Sequence, residues 1–378
     1  MVNSTRIAEE FTRLAAISSP PLREQEIARY LAERLARLGA EVLFDRAGEA
    51  TGGEVGNLVA RFQGRGRSSE PLLLSVHMDT VEPCQNVQPR LADGIFTSSG
   101  ETILGADDKA GITEIIEALE VVRERNLPHG PIEIVVTIAE EIGLVGAKHL
   151  DFSLLKARRG FALDTPGIGW IVLRAPGANR LKIEVTGREA HAGVAPEQGL
   201  SAVQVAARAV AAMRLGRIDT ETTANIGLIS GGQAVNIVPR TVRLEGEARS
   251  HDPDKLIRQT DHMVHCFDTA VRETEKEIDG LPVRAKLAFD IQPDYPRMAV
   301  AENSPLVQLA FQAAENLGQT MQVRLGGGGS DANIFNAHGI ETAILGTGME
   351  HVHSFEEQVA VADMAHVAKL LVEIISLA

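Results

Sequence analysis

The sequence predicts an α/β chain interrupted by a second module of α+β type. Three observations carry that prediction. Strand-like apolar runs alternate with segments of helical period from Asn57 to Ala139, which describes a sheet layered with helices. Past Ala175 the order becomes β-α-β-β-α-β, the ferredoxin-like signature, and past Pro296 the α/β pattern resumes. The outer segments therefore form one discontinuous domain, residues 1–177 with 295–378, and residues 178–294 form an insertion. With 378 residues, 44% of them hydrophobic, the chain can bury two cores.

The elements follow in order. Residues 3–16 and 23–38 carry apolar side chains at helical spacing, with Pro20 and Pro21 breaking the run between them and Gly39 stopping the second helix. Strands are predicted at Asn57 to Phe62 and Pro71 to Val76, a helix from about Asp108 to Arg125, and a strand from Ile132 to Ala139. In the insertion, Leu181, Ile183 and Val185 alternate with polar residues. A helix follows from Leu200 to Met213, then strands at Ala224 to Ser230 and Val242 to Ser250, a helix from Pro253 to Glu277 and a strand from Val283 to Ile291. The closing segment holds a helix from Ser304 to Leu317, the glycine run Gly326 to Gly329, a helix near Ala332, a strand at Thr342 to Leu345 and a helix from Val361.

Composition narrows the function. Lys and Arg total 37 against 51 Asp and Glu, a formal charge of −14 that opposes non-specific binding to nucleic acid or an anionic membrane and favours a peptide or small molecule. Cys84 and Cys266 belong to no CxxC or Cys/His cluster, which fits a reducing cytoplasm. The segment MVNSTRIAEEF lacks the basic-then-apolar order of an export signal, and no run approaches bilayer length.

Polar residues at the ends of apolar strands are the candidates for chemistry, because open α/β sheets place their ligands there. In LLLSVHMDT, His77 and Asp79 share one face of an extended segment, and an Asp behind a metal-bound His fixes its tautomer; the pair could equally be structural. In ILGADDKAG, Asp107 or Asp108 could be a ligand or simply a helix cap. Glu140 and Glu141 follow the strand IEIVVTIA; in a pocket they would repel each other unless a cation were present, and adjacent side chains diverge to two tasks. Asp164 ends GFALD, where a turn residue is the ordinary reading, and His353 competes with His351 in MEHVHSFEE. Oxygen and imidazole donors without cysteine suit a divalent metal, zinc first, with cobalt or manganese as substitutes. Charge counting supports two ions: Asp107, Glu141 and Asp164 with a shared hydroxide balance four positive charges.

Taken together, HMDTVEP, GADDKAG, AEEIGLVGA, ALD, GREAHAG, GGQAVNIVP, GGGGSDAN and HVHSFEE resemble the co-catalytic zinc peptidases that include peptidase T, carboxypeptidase G and the aminoacylases, most nearly the peptidase T-like branch. The resemblance spans nearly the whole chain. It implies a zinc-peptidase catalytic domain with a mixed sheet, and an inserted lid and dimerisation domain. His77 and Asp164 would bind one zinc, Glu141 and His353 the other, with Asp107 bridging, Asp79 supporting His77 and Glu140 as general base. It also implies a cis bond from Asp107 to Asp108 and a homodimer in which His191 serves the partner's site as an oxyanion donor, although a His in a loop needs no such role. Asn236 and Arg249 would hold substrate, Arg being suited to a carboxylate. The glycine run around Gly328 lacks the GK[ST] ending of a phosphate loop, and its N–H groups could cradle a substrate carboxylate instead.

The expected chemistry is metal-assisted amide hydrolysis, with the metals acidifying a water and Glu140 moving its proton to the leaving amine. In this family Asp at position 164 accompanies aminopeptidases, so a short-peptide aminopeptidase comes first. An N-acyl-amino-acid amidohydrolase or a carboxypeptidase is the alternative. A non-catalytic binding protein is more remote, since no ligand or base position is missing, and a dinucleotide enzyme fails for want of GxGxxG after the first strand.

Overall fold

The computed structural model describes residues 1–378. The chain divides into two compact units, residues 1–175 with 298–378 and residues 176–297. In the first, a nine-stranded sheet runs in the order Glu41–Phe44, Leu58–Phe62, Ile132–Thr137, Leu72–His77, Arg159–Leu163, Glu341–Leu345, Trp170–Ala175, Met298–Ala299, with Gln322–Leu325 also paired to Trp170–Ala175. Its four central strands, from Ile132–Thr137 to Glu341–Leu345, are mutually parallel. Every residue of Leu72–His77 and Ile132–Thr137 is buried, which is why these strands read as unbroken apolar runs rather than as alternation.

Helix Ala106–Glu124 is the crossover between those two strands and is buried from Ala106 to Val122. It packs on the terminal helix Val361–Leu377 and on Ser4–Ala16. Ile112, Ile115, Ile116 and Leu119 enter the main core, each contributing about 1.5–3 kcal/mol by leaving water. The helix begins two residues before the expected Asp108, with non-helical ψ values of 103° and 33° at Asp107 and Asp108.

Three local expectations are corrected. The helix from Pro253 ends at Glu273 rather than Glu277, because Lys276–Ile278 and Leu281–Val283 form a hairpin across Asp279 and Gly280, both at positive φ (52° and 75°). The strand placed at Val283 to Ile291 runs instead from Lys286 to Tyr295. A four-stranded sheet of Met349–Glu350, Gln358–Ala360, Ile95–Ser98 and Pro89–Ala92 was not anticipated, since strands of two to four residues show no periodicity.

The second unit is an antiparallel sheet in the order Gly216–Arg217, Thr222–Gly231, Thr241–Ser250, Gly177–Thr186, Lys286–Tyr295. Leu181, Ile183, Val185 and Leu244 face helices Ala202–Ala212 and Pro253–Glu273, whose Val205, Ala209, Met263 and Phe267 complete a separate core. The helices and the four long strands follow the order β-α-β-β-α-β.

Candidate metal centre

The parallel strands end side by side, and the polar residues lie just past their C-terminal ends. His77 closes Leu72–His77, Glu140 and Glu141 follow Ile132–Thr137, and Asp164 follows Arg159–Leu163. Asp107 stands at the start of the crossover helix. His353 lies in the turn between the short strands Met349–Glu350 and Gln358–Ala360, at φ 61°.

Four of these residues meet: His77, Asp107, Glu141 and His353. One ligand atom from each of His77, Asp107 and Glu141 lies within 4.8 Å of the others. His77 Nε2 is 3.0 Å from Asp107 Oδ1, and His353 Nε2 is 3.3 Å from Asp107 Oδ2 and 3.0 Å from Glu141 Oε2. Asp107 thus presents one oxygen to each imidazole. The bond from Asp107 to Asp108 is cis. Asp108 faces elsewhere: its Oδ2 accepts the main-chain N–H of His77 at 3.3 Å. His351 offers only its carbonyl, to the Ser354 hydroxyl at 2.6 Å.

Asp79 acts differently from a simple partner of His77. The His77 Nδ1–H donates to the main-chain carbonyl of Asp79 at 2.9 Å, while the nearest carboxylate oxygen is 3.5 Å away. That carboxylate is occupied by two main-chain donors, Glu140 N–H at 2.9 Å and Glu141 N–H at 3.1 Å. With Nδ1 as donor, a neutral His77 turns the lone pair of Nε2 toward a carboxylate oxygen. Two acceptors at hydrogen-bonding distance need a proton or a cation between them, so the donor set fits a divalent metal.

Electrostatics point the same way. Burial and the neighbouring Asp107 push Asp164 up to about 8, and burial with the proximity of Asp164 holds Glu140 well above the carboxylate range. Burial also raises Glu141. Hydrogen bonds to Asp107 and Glu141 raise His353 to about 10, and at buried His77 those to Asp107 and Asp79 outweigh desolvation. Burial would raise Asp107, but the two imidazoles hold it below the usual range. A crowd of acids that cannot all ionise is the field a dication relieves.

The other candidates are distributed. In the second unit, His191 is exposed and bridged to Ile237, and the Asn236 carbonyl accepts the Ala192 N–H at 2.9 Å, so the two loops are tied together. Arg249 is half-buried and pairs with Glu247 at 2.9 Å. Gly328, in the first unit, lies half-buried in the loop before Ser330. One residue escaped the sequence analysis. Glu357 is 1% exposed, and its carboxylate accepts the N–H groups of Leu104, Gly105 and Asp107 at 2.8, 2.7 and 3.0 Å. Its signal was present in HVHSFEE, but nothing local distinguishes it from the adjacent, exposed Glu356.

Residues 73–377 match the model of peptidase family M20/M25/M40. An uncharacterised Bacillus subtilis protein, YqjE, is 39% identical over 99% of both chains. Among solved structures, the aminopeptidase PepT from Bacillus cereus is 40% identical with a TM-score of 0.88, over 100% of this chain and 99% of its own. A tripeptidase from Staphylococcus aureus is 38% identical with a TM-score of 0.92, over 100% and 98%. No helix is long and apolar enough to cross a membrane.

Proposed function

Because the chain belongs to peptidase family M20/M25/M40, we propose that it is a two-metal aminopeptidase acting on short peptides, tripeptides foremost. The observation that carries this reading is the meeting of His77, Asp107 and Glu141 within 4.8 Å, beside His353. The similar structures at 38–40% identity, an aminopeptidase and a tripeptidase, support the substrate class.

In this reading His77, Asp107 and Asp164 would hold one zinc ion, and Asp107, Glu141 and His353 would hold a second. Bound zinc would polarise the scissile carbonyl and acidify water. Glu140, only 8% exposed and anchored through its N–H by Asp79, takes up the proton and hands it to the leaving amine. His191 of the partner subunit would steady the developing oxyanion, Asn236 and Arg249 would hold the peptide, and the N–H groups around Gly328 would receive its carboxylate. A homodimer assembled through the inserted domain, which would also serve as a lid, belongs to the same proposal, supported by the exposure of His191 on its own unit. The buried, unbridged Cys84 and Cys266 support a cytoplasmic setting.

The test is a panel of peptides of graded length, free and N-acetylated, with and without chelator. An aminopeptidase needs the free amine, so the free tripeptide is cleaved and its acetylated form is not. Preference for the acetylated form would replace this reading with a deacylase, and hydrolysis unaffected by exhaustive chelation would end it.

A further inference from the structure

The segment that delivers Glu140 and Glu141 is held by an unusual set of acceptors. Four consecutive main-chain N–H groups, from Ile138 to Glu141, donate to side chains rather than to backbone. Ile138 N–H reaches Asn57 Oδ1 at 3.1 Å, Ala139 N–H reaches Glu24 Oε1 at 2.9 Å, and Glu140 and Glu141 share the carboxylate of Asp79. The strand has ended, so no ladder partner is available to these donors, and a buried N–H left unmade is costly.

Glu24 holds the sharpest point of this turn. Ala139 sits at φ 48°, a left-handed conformation that a residue with a Cβ adopts only when its surroundings impose it. The same oxygen, Glu24 Oε1, also accepts the N–H of Leu22 at 2.9 Å, and Leu22 is likewise left-handed at φ 68°. One fully buried carboxylate, 0% exposed, thus ties two strained residues together, one of them the immediate predecessor of Glu140. Its second oxygen, Oε2, is buried without a hydrogen-bond partner. Leaving an ionisable group in such a place is expensive.

We propose that Glu24 is a positioning residue for hydrolysis: by fixing the left-handed turn at Ala139 it sets the direction in which the Glu140 carboxyl leaves the strand end. Glu24 touches neither substrate nor metal. The inference rests on the assignment of Glu140 as the base. If the turn relaxes, Glu140 keeps only its N–H contact to Asp79 and its carboxyl is free to swing, whereas Glu141 keeps both its N–H contact to Asp79 and its side-chain pairing with His353. A displacement of about 1 Å at a reacting group costs on the order of 100-fold in rate.

The experiment uses the intact, metal-loaded enzyme and a free tripeptide, with Glu24→Ala, Glu24→Gln, Glu140→Ala and the double variant Glu24→Ala/Glu140→Ala. Expected for Glu24→Ala is a fall in kcat of about 10- to 100-fold, with KM within a few-fold and metal content unchanged. Glu24→Gln should recover most of kcat, because its amide oxygen can accept both N–H groups and its NH₂ takes the place of the unpartnered oxygen. In the Glu140→Ala background, removal of Glu24 should cost almost nothing further, since it acts through the missing group. Wild-type kcat in a folded Glu24→Ala enzyme would overturn the proposal. So would losses of kcat and metal in equal proportion, or additive losses in the double variant, which would make Glu24 merely structural. Should Glu24→Ala not fold, Glu24→Asp, whose shorter side chain withdraws the carboxylate from the Ala139 N–H, decides: a fall in kcat with metal content unchanged supports the proposal, and wild-type kcat overturns it. Full turnover by Glu140→Ala would instead sink the assignment of the base, an outcome separate from failure at Glu24.

Discussion

Glu357 holds Asp107 by its main chain: Glu357 Oε1 accepts the Asp107 N–H at 3.0 Å, while Oε2 takes Leu104 and Gly105. The residue that offers one oxygen to each imidazole is therefore aimed by a second acid 250 positions later in the chain. Burial raises the pKa of Glu357, and the three N–H donors oppose that rise.

Loss of this clamp should weaken metal binding before it affects the fold. Glu357→Ala is expected to lower zinc affinity about 10- to 100-fold, the usual cost of removing a group that orients a ligand. Competition against a chelating dye measures it, with unchanged affinity as the outcome that contradicts the role.

Glu140 is expected to matter for turnover and not for metal. Glu140→Ala should reduce kcat by about 10²- to 10⁴-fold while metal stoichiometry per chain stays at the wild-type value. Elemental analysis alongside steady-state kinetics separates the two.

Metal removal should cost stability as well as activity. His77, Asp107, Glu141, Asp164 and His353 crowd acids and imidazoles together, and a cation bound only by the folded state stabilises it by about 2.7 kcal/mol at a free concentration 100 times its Kd. Thermal unfolding should therefore shift down on chelation and return with zinc. A midpoint indifferent to both would contradict the site.

Glu114 offers a pH test outside the candidate metal centre. It is 0% exposed on the crossover helix, neither carboxyl oxygen has a partner, and burial, with Asp108 and Asp363 nearby, raises its pKa well above the ordinary value. A carboxyl with a raised folded-state pKa binds more protons folded than unfolded. Its contribution is therefore complete below the ordinary carboxylate pKa and is lost as pH rises from there through the folded value. Each unit of rise is worth about 1.4 kcal/mol, so denaturant unfolding of Glu114→Gln should show a shallower decline with pH than the wild type. Parallel curves would rule Glu114 out as the source.

The same contrast runs through the fold and the site. Apolar period is a local property, so the sequence alone indicated the buried runs at Pro71 to Val76 and Ile132 to Ala139, which fold as Leu72–His77 and Ile132–Thr137, the amphipathic helices, and the change of pattern at Ala175. It also supplied donor types without thiolate, which selects the chemistry of a divalent cation. Direction and partnership belong to the tertiary structure. Asp107 and Asp108 are chemically identical neighbours, as are Glu356 and Glu357, and only the folded backbone turns Asp107 toward the imidazoles and buries Glu357 under three N–H groups. Glu24 reads as an ordinary residue in the first turn of the helix predicted over residues 23–38, because its partner Ala139 is 115 positions away and hydrogen bonds across that distance leave no periodic trace. The hairpin at Asp279 and Gly280 went unread, because whether the preceding helix runs on to Glu277 depends on what each strand can pair with, and that is decided only when the chain closes on itself.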